Sequence, residues 1–388
     1  MKERIEKMKV VFDKHILLNA IIPAMSAVST KGENKVLQGI RLKTIDSDKC
    51  MISTFDVEKG FQTVIDADVQ RPGCFIISAN KLLNITRNMP SDITVDVSDK
   101  NIAKISSGNS KFEVVCIEGS QFPNMPELSG DYCFSVSQKT LKKLIAQTSF
   151  AVAENNQKLQ LNGAYFQIRE ENIKIVALDG FRFAQRYEDC EMENHNEDGS
   201  YMNLNFIIAR RALPEIQKFL LDTDEKIRVV RGLKHIMFFR DNMIFFTRQI
   251  DGEYLEYERF IPKDCPIEVE IPVSSLRESL ERAMLVTEDS DAGRVKSSVT
   301  LNVYGDSLKI SCISVVNKVY DEIPCKHTGD DIEISFNCRF LLDAFRAIDA
   351  DTVRLGFSTP LSSMLISPLN DEDRSFLYFV FPVRPSQN

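Results

Sequence analysis

Six times along this chain a short extended apolar run ends at a cap-type position and opens into a helical pattern with a leucine four residues on. The leucines are Leu17, Leu82, Leu141, Leu213, Leu276 and Leu341, separated by 65, 59, 72, 63 and 65 residues. The cap positions are Asp13, Ser78, Ser137, Ala209, Pro272 and Asn337. Four of these carry side chains able to accept a bond from the free N–H groups that open a helix. A spacing held six times constrains the architecture more than any local motif. The clearest copy is Phe134–Val152, where Leu141, Leu144, Ile145 and Thr148 share one helical face while Lys139, Lys142 and Lys143 take the opposite one. One face is built to pack; the other offers bare positive charge.

Each helix is followed by two or three strand-like runs bounded by turn residues, a hairpin-rich order unlike the regular succession of one strand and one helix that a parallel sheet needs. The fold class is therefore α+β. A chain of 388 residues exceeds one core, and six units group as three tandem similar domains of two strand-helix-strand units each: residues 1–130, 131–262 and 263–388. Residues 1–7 are a charged leader. The linkers are Gln121–Gly130, with two prolines, and Ile261–Pro266, bounded by Ile-Pro and Cys-Pro. Helices are expected after Asp13 with Pro23 kinking or ending the first, at Asn80–Asn88, from near Arg211 because Pro214 fits only a first turn, at Ser274–Val286 and at Arg339–Ile348. The last strand is expected at Ser375–Val383.

Catalytic chemistry has little to work with. His15, His195, His235 and His327 lack metal-ligand spacing. Gly108 and Gly119 are lone turn glycines, and the acidic cluster Glu288–Asp291 lacks the spaced ligands of a calcium loop. The nine cysteines form no CxxC pair and read as reduced thiols of a cytoplasmic protein. The longest uncharged apolar stretch, Ile16–Thr30, is too short and polar to span a bilayer. No enzyme activity, cofactor, metal or membrane partner is expected.

The net charge of −8 argues against nucleic acid until it is located. The six helix segments carry +1, +2, +3, +2, −1 and +1, a total of +8, which leaves −16 for the rest. Were the helices to share one side, that side would be basic and suited to holding a phosphate backbone without reading bases.

From Met8 to Arg384 this pattern resembles the bacterial DNA polymerase III beta subunit family, the β sliding clamps. The most specific stretches are Leu161-Asn162-Gly163, Ala177-Leu178-Asp179-Gly180-Phe181-Arg182-Phe183, Asp251-Gly252 through Tyr257 to Arg259-Phe260-Ile261-Pro262, and Phe379-Val380-Phe381-Pro382-Val383-Arg384. The resemblance implies a processivity factor. In that family a head-to-tail homodimer rings duplex DNA without sequence preference, with helices lining the hole and antiparallel sheets outside. It also implies a cleft where the replicative polymerase, clamp loader and repair proteins dock a short apolar motif. By motif its wall would be Leu161, Leu178, Gly180, Arg182, Phe183, Leu255, Arg259, Phe260, Ser363, Phe379, Phe381, Pro382, Val383 and Arg384, with two or three arginines at the rim. Leu255 stands where a proline is common, Phe181 where a histidine is, and Phe379 and Phe381 where less bulky residues are. The cleft should therefore be more aromatic, and Pro385–Asn388 run past the family's usual end. DNA-facing residues, chosen by position and charge, are Lys31, Lys81, Arg87, Lys142, Lys143, Asn155, Arg210 and Lys218. The competing readings are a monomeric β-rich scaffold that binds only proteins, and a hydrolase with an unrecognised site.

Overall fold

The computed structural model describes residues 7–30, 34–130, 132–194, 199–288, 298–313, 317–370 and 372–383. Within them the six repeats each supply a helix: α1 Lys14–Ala24, α2 Ala79–Asn88, α3 Gln138–Ala146, α4 Leu213–Phe219, α5 Val273–Glu288 and α6 Cys338–Ala347. The aligned leucines Leu17, Leu82, Leu141, Leu213, Leu276 and Leu341 are all buried, so the periodicity marks the packing face of every helix. Asp13 accepts from the Ile16 N–H, and Asn337 accepts from the Arg339 and Phe340 N–H groups. Such caps stabilise a helix by about 1 kcal/mol each. Ser78 occupies the N-cap of α2 without a side-chain cap bond; the backbone carbonyl of Gln38 takes the Ala79 N–H at 3.0 Å instead. Pro23 lies in the last turn of α1, which passes into a 3-10 turn at Met25–Ala27.

The chain forms two compact units. The first comprises residues 1–139, 193–198 and 211–249; the second comprises 140–192, 199–210 and 250–388. In the first, thirteen strands form one sheet, in which Met243–Arg248 pairs with Lys59–Asp66 so that Phe245 faces Phe61. In the second, a nine-stranded sheet pairs Arg182–Asp189 with Phe376–Val380, placing Phe183 opposite Phe379. A four-stranded sheet of Lys318–Pro324, Ser307–Ile313, Ser298–Tyr304 and Ile332–Asn337 completes it. Every one of these strand pairs is antiparallel, as the α+β reading requires. Regularly alternating burial along strands such as Met8–Phe12 and Ile93–Val97 gives each sheet a buried face.

Several expectations need correction. α4 starts at Leu213, two residues past the expected neighbourhood of Arg211, with Pro214 in its first turn as expected, where the missing N–H costs nothing. The last strand spans Phe376–Val380, shorter than Ser375–Val383, because Phe381 and Val383 send their N–H groups to the carbonyls of Phe181 and Ser335 rather than to a ladder. Short strands at Asp68–Arg71 and Lys326–Thr328 had no sequence signal. Gln121–Gly130 is more than a spacer: Phe122 is buried in a core cluster with Phe55, Ile76, Val230, Met237 and Phe246, and Met125 and Leu128 pack beside it. Residues 1–6 of the leader, His195, Pro385–Asn388 and the cluster after Glu288 lie outside the described residues.

Candidate functional site

The cationic helix faces come first. On α3, Leu141, Leu144, Ile145 and Thr148 are buried, as their spacing requires. Burying each aliphatic side chain contributes about 1.5–3 kcal/mol. Thr148 also donates to the Leu144 carbonyl at 2.8 Å, which ends the helix neatly. Lys139 is exposed and Lys142 half-buried. Lys143 is not bare: its Nζ lies 2.6 Å from Asp349. Lys218 is likewise compensated by Glu215 one turn before it, at 3.2 Å, and Arg210 by Glu154 at 3.8 Å. Arg210 also donates to the Val152 carbonyl. Arg282 is paired with Asp321, and Arg346 with Glu281 at 2.9 Å.

The expectation of bare positive charge therefore needs correction at Lys143, and Arg210 and Lys218, chosen as DNA-facing, are paired as well. Acids distant in sequence, invisible to a helix-by-helix charge count, neutralise two of them. Lys81 and Arg87 on α2 are exposed and, among the described residues, carry no acidic partner; Lys139, Lys142, Arg277 and Arg339 are equally unpaired. Asn155 is exposed at a left-handed φ of 57°. Lys31 lies outside the described residues.

The motif residues of the proposed cleft all belong to the second unit. In Leu161-Asn162-Gly163, the Asn162 side chain accepts from the Asn156 N–H at 2.7 Å and donates to the Asn156 carbonyl at 2.9 Å. This clasp fixes the loop that carries Asn155. Gly163 is dictated by space, since a Cβ there would stand 2.6 Å from the Ile208 carbonyl oxygen. In the Asp179–Phe183 stretch, Asp179 Oδ1 accepts from the Phe181 and Arg182 N–H groups at 2.9 and 3.0 Å, closing a turn whose Gly180 has φ 94°. That turn leaves Phe181 exposed.

Phe183 and Phe379 stack with centroids 4.6 Å apart, and Tyr257 sits 5.5 Å from Phe183. Together with Val176 these form a buried cluster against which Tyr165, Leu178, Tyr254, Ile261, Leu365 and Leu377 pack. Phe381 stands edge-on to Phe379 at 5.6 Å and is 38% exposed. Leu161 and Ser363 are buried, Leu255, Pro382 and Val383 half-buried, and Phe260 exposed. The result is an aromatic floor with Phe181, Phe260 and Phe381 left in water beside it. The tyrosines were missed as site residues: Tyr165 and Tyr254 stack at 4.8 Å, and Tyr257 donates to Gln167 Oε1 at 3.0 Å. Burial pushes both the Tyr254 and Tyr257 phenols well above their ordinary value. Their spacing, Tyr254 and Tyr257, was the signal to be found.

Of the arginines expected at the rim, Arg182 lies inside, only 8% exposed. Its Nε lies 3.0 Å from Asp179 and its Nη1 2.6 Å from Asp343 of α6, with its guanidinium 4.4 Å over the Phe340 ring. It is an interior strut whose charge is spent, because a buried guanidinium is tolerated only when paired. Arg259 is exposed but held by Glu256. Arg384 lies outside the described residues.

Among the described residues no three His, Cys, Asp or Glu side chains gather into a metal-binding group. The nine cysteines are unpaired, and burial pushes the Cys50 and Cys338 thiols up to about 12. Thiols held that high are poor nucleophiles. No helix among the described residues is long and apolar enough to cross a membrane.

Three family models cover most of the chain: the N-terminal, central and C-terminal domains of the DNA polymerase III beta subunit match residues 8–126, 135–256 and 258–384. The chain is 26% identical to the beta sliding clamp of Halalkalibacterium halodurans and 25% identical to that of Bacillus subtilis, in each case over 97% of this chain and 100% of the relative. Among solved structures, a putative DNA polymerase III beta subunit from Eubacterium rectale superposes with a TM-score of 0.88 at 26% identity, covering 97% of this chain and all of that one. The DNA polymerase sliding clamp from Bacillus subtilis also gives 0.88, at 23% identity over 98% of this chain and 100% of that one. The chain belongs to the DNA polymerase III beta subunit family, the bacterial beta sliding clamps.

Proposed function

We propose that this chain is a non-catalytic processivity factor: two copies close head to tail around duplex DNA and tether a polymerase through an apolar peptide docked beside Phe381. The observation that carries the reading is the sixfold helix whose leucine face is buried while cations with no acidic partner among the described residues, Lys81, Arg87, Lys139, Lys142, Arg277 and Arg339, stay on the helices. Such contacts are weak and independent of base sequence, which sliding requires.

Closure is supported by two open strand edges. Strand Ser110–Glu118 pairs through Ser110–Val115 with Ile102–Ser107, and among the described residues nothing pairs with the other edge of that stretch. Its Phe112 and Val115 are exposed. Strand Lys318–Pro324 ends the four-stranded sheet with one edge unpaired among the described residues, and Tyr320 and Leu285 of α5, the helix that packs on this strand, are exposed. An open edge flanked by exposed apolar side chains invites a partner strand, and two such edges on one chain generate a head-to-tail ring when the rotation closes.

The docking reading rests on the aromatic floor. Phe181, Phe260 and Phe381 offer exposed rings next to a packed cluster, which suits Leu and Phe anchors of an extended peptide. Replicative polymerase, clamp loader and repair proteins are the partners the family reading implies, in the cytoplasm.

The test is topological. Protein loaded onto circular duplex should be retained and then lost on linearisation, and the solution mass should be about twice 44.2 kDa. Equal release from circular and linear DNA, with a stable monomer, would leave the protein-only scaffold as the better account.

A further inference from the structure

We propose that Asp349 holds Lys143 away from the phosphate backbone, so that α3 grips duplex DNA through Lys139 and Lys142 while Lys143 contributes nothing. The proposal rests on the reading that the cationic face of α3 meets DNA.

The geometry is a three-member chain. Asp349 Oδ2 lies 2.6 Å from Lys143 Nζ, and Asp349 Oδ1 lies 3.6 Å from Nη1 of Arg186. Among the described residues Arg186, 1% exposed, is the largest fully buried side chain, and its Nε and Nη1 find no hydrogen-bond acceptor there. A buried guanidinium needs a counter-ion, and among the described residues Asp349 is the carboxylate at salt-bridge distance. That requirement fixes Asp349 on the segment after α6. An ordinary surface pair such as Lys143 with a free acid would exchange readily for a phosphate. Here the acid, its side chain 45% exposed, is drawn by two cations at once. A phosphate reaching for Lys143 would approach that carboxylate, and like charges a few ångströms apart repel. Burial tends to raise the Asp349 pKa, but the Lys143 hydrogen bond and the Arg186 charge outweigh it and leave the group below the usual carboxylate range. The carboxylate thus stays charged wherever the protein works. Lys142, one residue earlier, has no such partner among the described residues.

For a protein that must slide, this is useful: each phosphate contact removed lowers the barrier to the next register. Asp349 is a positioning residue, acting on DNA only through Lys143.

The experiment measures the affinity of the full-length protein for a short linear duplex by fluorescence anisotropy across a salt series. Lys142→Ala should weaken binding about 3–5-fold at low salt and flatten the log–log salt slope by about 0.9, the loss of one released counter-ion. Lys143→Ala should stay within about 1.5-fold of the parent. Asp349→Asn should tighten binding about 3–5-fold and steepen the slope by about 0.9, and the gain should vanish in the Asp349→Asn/Lys143→Ala double variant. A gain that survives in the double variant overturns the proposal, because it would then reflect general charge and not Lys143. Lys143→Ala matching the loss at Lys142→Ala overturns it without any need for Asp349→Asn to fold, and leaves the DNA reading of α3 intact. Loss at neither lysine overturns that reading and this proposal with it.

Discussion

Replacing Arg182 separates a structural strut from a peptide-binding contact. Its guanidinium spans Asp179 at 3.0 Å and Asp343 at 2.6 Å, and stacks over Phe340 at 4.4 Å. Breaking a buried ion pair by removing one partner costs about 3–5 kcal/mol. Two features set the value here. Asp179 keeps two backbone N–H bonds after the loss, and the side chain of Asp343 is 28% exposed and can be partly rehydrated. The lower end therefore applies, and losing the Phe340 contact adds about 0.5–1 kcal/mol. Arg182→Ala should lower stability by about 3–4 kcal/mol. Arg182→Lys keeps a charge that reaches one carboxylate, loses the fork, and should cost about 1–2 kcal/mol. The chain contains no tryptophan, so urea unfolding is best followed by far-UV circular dichroism. The Lys variant, still folded, then decides the role in binding. If Arg182 is a strut, a Leu/Phe-bearing peptide binds it within about twofold of the parent; if it is a rim contact, affinity falls tenfold or more. Less than 1 kcal/mol lost by Arg182→Ala, or a peptide defect in a fully stable Arg182→Lys, would refute the argument.

Phe381→Ala should weaken that same peptide at least about tenfold with little change in melting, since the ring is at the edge of the floor and partly in water. Phe379→Ala, by contrast, empties a buried stack and should cost about 3–5 kcal/mol in urea unfolding. Leu285→Asp should shift the solution mass measured by light scattering toward 44.2 kDa by placing a charge in the face that the proposed ring would give to a partner strand. His235 is held below its ordinary pKa, first by burial and then by Arg248 and Lys234. The native state thus binds fewer protons than the unfolded chain, and stability should fall as pH drops through about 6.5. His235→Gln should remove that slope in a pH series of unfolding midpoints.

The fold was legible because its signal is periodic and repeated. Leu141, Leu144, Ile145 and Thr148 each went where the 3.6-residue spacing put them, and Gly163–Arg169 and Thr352–Phe357 form strands over their expected spans. What escaped depends on partners distant in sequence. Asp68–Arg71 is a strand only because Met8–Phe12 offers it an edge. Phe122 looked like part of a linker because the cluster that buries it comes from residues 55 to 246.

The candidate sites divide along the same line. Apolar residues that the motif groups together do meet in space, because an aromatic ring buries itself beside other rings whatever their order in the chain; Phe183 and Phe379, 196 positions apart, meet through a strand pair. Charged members could not, because a charge has no fixed worth until its neighbours are known. Arg182 looks like a rim arginine in sequence and is a paired interior one in space. Lys142 and Lys143 are adjacent and chemically identical, yet only Lys143 meets Asp349. Counting +3 for α3 therefore overstates what a phosphate would feel. With Lys143, Lys218 and Arg346 each held by an acid within 3.2 Å, the helices carry fewer cations without an acidic partner among the described residues than a charge count suggests. Few point contacts, each worth little at physiological salt, is the charge pattern expected of a surface that must hold DNA in place laterally without arresting it along its axis.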